Sequence, residues 1–142
     1  MMTKADNQAL IDLTRMTVGL LDGWRLDIDE MQALLGLPEK VRSRAFQKFR
    51  AGREALPAEP EVLRRAQYLI RIADALRTTY PRNPYMGAQW MRQRHRRFGG
   101  RTPLMVILEG GESGLMSVLA ELDCTFAWDM TGSEHTAYPG AS

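Results

Sequence analysis

Two histidines, His95 and His135, and one cysteine, Cys124, are the side chains best suited to serve as base, nucleophile or metal ligand. Their positions do not gather them at the spacing of a tetrahedral metal site, so no metal and no catalytic group is expected. Gly99-Gly100 and Gly110-Gly111 lack the preceding strand and the lysine that a phosphate cradle needs, and no GxGxxG or Walker pattern appears. Cys124, beside Phe126, reads as a small buried side chain, and His95, inside a basic cluster, as a surface residue. Enzymatic chemistry and a bound cofactor are therefore not expected, and recognition is.

One candidate for recognition is the stretch Glu39 to Ala51. Placing successive residues 100° apart puts Val41, Ala45 and Phe49 on one side, with Phe46 beside them. The opposite side carries Lys40, Ser43, Arg44, Gln47 and Arg50, with Arg42 and Lys48 nearer the edges. Arginine pairs with guanine, glutamine with adenine, and serine and lysine mostly with the phosphate backbone, so Lys40, Arg42, Ser43, Arg44, Gln47 and Arg50 form a candidate DNA-reading face. A merely solvated helix face has the same composition.

The elements that would position this face are helical. Leu10, Leu13, Met16, Thr17, Leu20 and Leu21 recur at helical spacing and predict a helix over residues 7 to 22, ended by Gly23. Asp27 or Asp29 can cap a second helix, Glu30 to Leu35, that stops at Gly36. Pro38 suits the first position of the next helix, which runs to Ala51 and closes at Gly52. Two short helices around a glycine turn, braced by a third, outline a helix-turn-helix.

Beyond the polar segment Glu54 to Pro60, the longest predicted helix spans Glu61 to Thr79. Its apolar stripe is Val62, Leu63, Ala66, Leu69, Ile70, Ala73 and Leu76, and its outer face Arg64, Arg65, Arg71 and Arg77. A further helix is expected from Tyr85 to Phe98, through Gln93-Arg94-His95-Arg96. Gly99-Gly100 can then adopt the left-handed conformation that closes a helix, with Thr102 as N-cap and Pro103 at N1 of a short buried helix, Leu104 to Leu108. A last helix, Glu112 to Asp123, would turn Leu115, Met116, Leu119 and Leu122 inward, and Thr125 to Ser142 shows no helical period. No segment alternates like a strand, so the fold class is all-α.

Charge divides the 142 residues unevenly. Residues 1 to 56 hold nine basic and eight acidic side chains, residues 57 to 101 ten and three, and residues 102 to 142 none and six. Such asymmetry points to two partners, to one half shielding the other, or to ordinary soluble surface. No run of about 18 apolar residues is present, and Gln8, Asp12 and Arg15 interrupt the early hydrophobics that a signal peptide would need; the cytoplasm is the expected location. A single cysteine cannot form an intrachain disulfide, which suits a reducing compartment.

In order along the chain, GLPEKVRSRAF, ALPAEPEVLRRAQYLIRIADAL, AQWMRQRHRRFGGRTPLMVILEGG and GLMSVLAELD resemble the Xre/MbcA/ParS family of bacterial antitoxins. The resemblance covers residues 28 to 128 and is most specific from Trp90 to Phe98-Gly99-Gly100-Arg101-Thr102-Pro103-Leu104. It implies an N-terminal Xre-like helix-turn-helix domain (1–58), a small helical toxin-binding domain (59–128) and a C-terminal tail (129–142). It further implies neutralisation of a cognate toxin, typically a RES-domain protein acting on NAD, repression of the antitoxin's own operator DNA, and a homodimer. The resemblance carries over to Trp90, Gly99, Gly100, Arg101, Thr102, Pro103, Leu104, Gly110 and Gly111; the candidate toxin-binding residues are Trp90, Phe98 and Gly99 to Leu104, joined by Arg94 and Trp128. Most are expected to be architectural, with Arg101 and the tail as direct contacts. A regulator that binds DNA and has no toxin is the alternative.

Overall fold

A computed structural model describes residues 3–131, with side chains described as far as Cys124. Among them seven α-helices follow one another: α1 Lys4–Gly23, α2 Ile28–Leu35, α3 Ser43–Ala51, α4 Pro60–Thr79, α5 Pro84–Arg92, α6 Pro103–Gly110 and α7 Glu112–Thr131. One turn of 3-10 helix, Arg96–Phe98, lies between α5 and α6, and the described residues contain no strand. The all-α expectation holds.

The N-terminal three helices are set by caps and by one aromatic pair. Asp27 accepts the Glu30 N–H while Glu30 accepts the Asp27 N–H, the reciprocal capping box that starts α2. Phe46 and Phe49 of α3 are buried edge to face, their ring centroids 5.4 Å apart, and Val41 and Ala45 are half-buried beside them, as the helical wheel requires. Two polar side chains fasten the connections. The amide of buried Gln32 donates to the Pro38 carbonyl, pinning the α2–α3 link. The hydroxyl of buried Thr14 receives the Leu56 N–H at 2.8 Å, tying the segment before α4 to α1.

α4 is the spine. It packs along α7 and also meets α1, α2 and α5, while α6 and α7 pack closely on each other. One continuous apolar cluster runs from Val18 and Leu21 through Leu34, Leu69 and Ile72 to Ile107, Leu115 and Leu122. The division foreseen at 58/59 falls in the connection leading into α4.

Several expectations fail locally. α3 begins at Ser43, not near Pro38: residues 37–42 form a turn, Val41 donating to the Pro38 carbonyl, so Lys40 precedes the helix and Arg42 is its N-cap. Met16 and Met116, placed on inner stripes, are exposed; Thr14 and Val18 take the inward positions of α1. In α4 the foreseen stripe is kept, Val62, Ala66, Leu69, Ala73 and Leu76 all being buried, but Ile72 joins it fully buried and Leu63 and Ile70 are only partly covered. Arg65 does not face solvent. Its guanidinium donates to the Ala33 and Leu34 carbonyls at the end of α2 and to Glu61, and it lies against Gly36 and Gly111. A cation there complements the orphan carbonyls and the negative end of α2. α7 continues to Thr131, so residues 125–131 are helical in backbone, and Cys124 is exposed, not buried. The side chain of Trp128 and residues 132–142 lie outside the described residues.

Candidate functional site

The elbow between α5 and α6 departs most from expectation. The α5 helix stops at Arg92, and Gln93 to His95 run extended instead of staying helical. The reason is a tight knot of backbone bonds centred on His95. Its N–H donates to the Arg101 carbonyl at 3.1 Å, and its carbonyl accepts from Phe98 and Gly100, each at 3.0 Å. His95 and Arg101 thereby form an isolated bridge, too short to be a strand. Gly99 and Gly100 take left-handed φ angles of 66° and 83°, which only glycine enters at no steric cost, and the chain reverses within one turn.

The side chains complete the knot. The His95 ring is half-buried, 4.8 Å from the Trp90 ring and 6.1 Å from Phe98, and its Nε2 is 3.0 Å from the Trp90 carbonyl. Trp90 and Phe98 meet edge to face at 6.3 Å. His95 is thus the hub of an aromatic cluster; its place inside the basic run hid this role, and only its setting midway between Trp90 and the glycines hinted at it. The hydroxyl of Thr102 caps α6 by accepting the Met105 N–H, with Pro103 at N1, as expected. Phe98, Pro103 and Leu104 are buried and serve as supports, while Trp90 is half-buried.

Apart from exposed Arg96, the basic side chains of the elbow are held in place. Arg94 donates to the Gly100 carbonyl, Arg101 to the Phe98 carbonyl and to Glu109 at 2.9 Å, and Arg97 pairs with Glu121 on α7 at 3.2 Å. Arg92 reaches back to the Trp24 and Arg25 carbonyls at the end of α1, so the elbow is anchored to the N-terminal helices. An open cavity of about 620 Å³ separates elbow and α7, with Arg97, Phe98, Arg101, Ser117, Glu121 and Cys124 among its lining. Beneath it α6 and α7 cross backbone to backbone at Gly114. A Cβ there would strike the Val106 carbonyl oxygen and come within 2.8 Å of the Ile107 Cα. This close crossing was not foreseen, because a lone glycine inside a helical pattern carries no unique signal.

Residues 75–125 match the family model of the antitoxin Xre/MbcA/ParS C-terminal toxin-binding domain. The match begins in the last turn of α4, takes in α5, the elbow and α6, and ends within α7. It therefore contains the residues from Trp90 to Leu104 on which the resemblance was most specific, and it supports an antitoxin role. No curated protein and no solved structure matches the chain. Of the candidate toxin-binding residues within the matched segment, Arg94, Gly99 and Arg101 are exposed and Trp90 is partly covered.

The second candidate surface lies on the N-terminal helices. Lys40, Arg42, Ser43, Arg44 and Gln47 are all exposed. Arg42 contacts Asp29 of α2 at 3.3 Å. Arg50 is engaged differently: its Nε and Nη2 each lie 2.8 Å from a carboxylate oxygen of Asp22 on α1, a two-pronged pair that clasps α3 to α1 and holds the guanidinium pKa above its ordinary value. Among the described residues no cluster of histidine, cysteine and acidic side chains can hold a metal ion, and no helix is long and apolar enough to cross a membrane.

Proposed function

We propose that this protein is an antitoxin with two recognition surfaces, binding and blocking a cognate toxin through the elbow within residues 75–125 and repressing its own operon through α3. The observation that carries the reading is the family match falling on the rigid Trp90-to-Leu104 elbow. Arg94, Arg101 and the rim of Trp90 contact the toxin. Phe98, Gly99, Gly100, Thr102, Pro103 and Leu104 fix the shape that those groups present, and Trp128 adds to the contact from α7. The toxin is of the RES type and acts on NAD. The antitoxin itself performs no chemistry and works as a homodimer in the cytoplasm.

On the DNA side, Lys40, Arg42 and Ser43 at the start of α3 meet phosphates, and Arg44 and Gln47 read base edges. Arg42 caps α3 without a side-chain hydrogen bond, which leaves the first N–H groups of the helix free for a phosphate oxygen. Arg50 acts by keeping α3 seated. The alternative is a solitary regulator without a toxin, prompted by the basic run through residues 92–97; that α5 ends at Arg92 and that Arg94 and Arg97 bond to their own chain favours the antitoxin reading over it.

Co-expression with the product of the adjacent gene tests the antitoxin reading. Growth arrest by that product alone, relieved by this protein and not by an Arg101→Glu variant, is the expected result. A neighbour harmless alone, or equally lethal beside this protein, would show the assignment to be wrong.

A further inference from the structure

Four acidic side chains lie on α1 and α2 close to α3, the helix proposed to meet phosphates. Asp27, Asp29 and Glu30 occupy the cap and first turn of α2, and Asp22 closes α1 beside α3. Three of these four are committed to structure. Asp27 and Glu30 cap each other, Glu30 also lies 3.7 Å from Arg92, and Asp22 clasps Arg50. Asp29 has no such duty. Its side chain is 82% exposed, and its one recorded partner is Arg42, itself 64% exposed and sited at the N-cap of the helix that would enter the groove.

We propose that Asp29 is a specificity-determining residue that withholds Arg42 from phosphates, so that duplexes lacking the right bases bind weakly. This rests on the reading of α3 as a DNA-recognition helix. An unpaired Arg42 contributes to any duplex, because phosphate attraction ignores sequence. Paired with Asp29 it contributes little, and the carboxylate repels the backbone across the few ångströms at which salt screening is incomplete. A correct site, where Arg44 and Gln47 find their bases, seats α3 deeply enough for Arg42 to exchange carboxylate for phosphate. The exchange is inexpensive because an exposed ion pair is weak. Asp29 therefore lowers affinity for all DNA but lowers it most for the wrong DNA, which is how a repulsive element sharpens a choice of partner.

The test is a salt titration of fluorescence anisotropy with two duplexes of equal length, the protein's own upstream region and a scrambled version. It compares the full-length wild type with D29N, R42A and the double variant. Asp29 is exposed and D29N keeps a polar side chain near the cap, so the helical circular dichroism is expected to be unchanged. D29N should bind the scrambled duplex about fivefold more tightly, the scale of one exposed ion pair. Its log–log salt slope should steepen by about one, one additional phosphate contact. On the upstream duplex the gain should be smaller, so the preference between the two falls, and in the R42A background the effect of D29N should shrink to the residue left by removing carboxylate–phosphate repulsion. Unchanged scrambled-duplex binding in D29N, or a gain that persists at full size without Arg42, overturns the proposal. A wild type with no preference for its upstream region removes the operator reading and the specificity role with it, and a D29N gain would then show only that Asp29 masks Arg42; a preferring wild type with unchanged D29N overturns the Asp29 proposal alone, and no binding by any of the four proteins overturns both.

Discussion

The elbow and the exposed face of α3 are both basic and both proposed to bind a partner, yet they are built in opposite ways. At the elbow most of the basic side chains are already engaged within the chain: His95 anchors the backbone knot, and Arg94, Arg97 and Arg101 have fixed acceptors, with Arg96 standing in solvent. On α3 and just before it, the long side chains of Lys40, Arg44 and Gln47 stand in solvent, while Arg42 and Arg50 meet single acidic partners. A surface that is set beforehand loses little side-chain freedom on binding, which favours one partner of matching shape. A surface of free cations adapts to a charged rod and depends on salt instead. The same residue types thus serve shape in one place and field in the other, according to whether a local acceptor holds them.

That contrast can be broken from its rigid side first. Phe98→Ala removes a buried ring from beneath the glycines and should lower stability by about 3 kcal/mol, on the scale of large-to-small core changes. A thermal melt and loss of toxin neutralisation together would register it, whereas a melt like the wild type's would mean that the cluster does not support the elbow. Gly114→Ala is the next largest, about 2 kcal/mol from overpacking the crossing of α6 and α7 against the Val106 carbonyl. Its damage should fall on the elbow, read as protection lost in hydrogen exchange over α6 and α7 before α1 to α3.

The α3 side should respond in binding and not in stability. Replacing Arg44 and Gln47 together by Ala should leave the melting temperature within the scatter expected of surface changes, about 0.5 kcal/mol, while removing sequence preference in a gel shift. Retained preference would move the reading surface elsewhere. Arg50→Ala marks the boundary between the two designs: loss of its half-exposed clasp on Asp22 should cost at most about 1 kcal/mol, discounted for solvent, and should loosen α3. The smallest effect is a pH slope. The Arg64 guanidinium, 2.6 Å away, holds the Glu112 carboxyl below the usual carboxylate range. With its folded value depressed, Glu112 stabilises the protein above the unfolded carboxylate pKa, and that contribution fades as pH falls through the lowered folded value. A Glu112→Gln variant should lose this acid-side slope, seen as melting temperatures that converge with the wild type's at low pH.

Much of this molecule was legible in one dimension because its signals are local. The Asp27 cap, the Thr102-Pro103 start of α6, the Gly36 and Gly52 stops and the Val41-Ala45-Phe46-Phe49 face each depend on neighbours within about one helical turn, and each is found where the residues predict it. So is the family likeness, whose Trp90-to-Leu104 spacing is a single continuous motif. What the chain could not announce depends on partners far away. Gln93 to His95 leave the helix because the Arg101 carbonyl and the Trp90 ring offer better company than another turn. Arg65 turns inward because the end of α2, some thirty residues earlier, needs a cation. Gly114 is required because α6 passes against it, and Asp29 faces Arg42 because the α2–α3 turn brings them together. Residue type and period determine which elements form; only packing in three dimensions decides which charge is tethered, which is free, and therefore which surface can receive a partner.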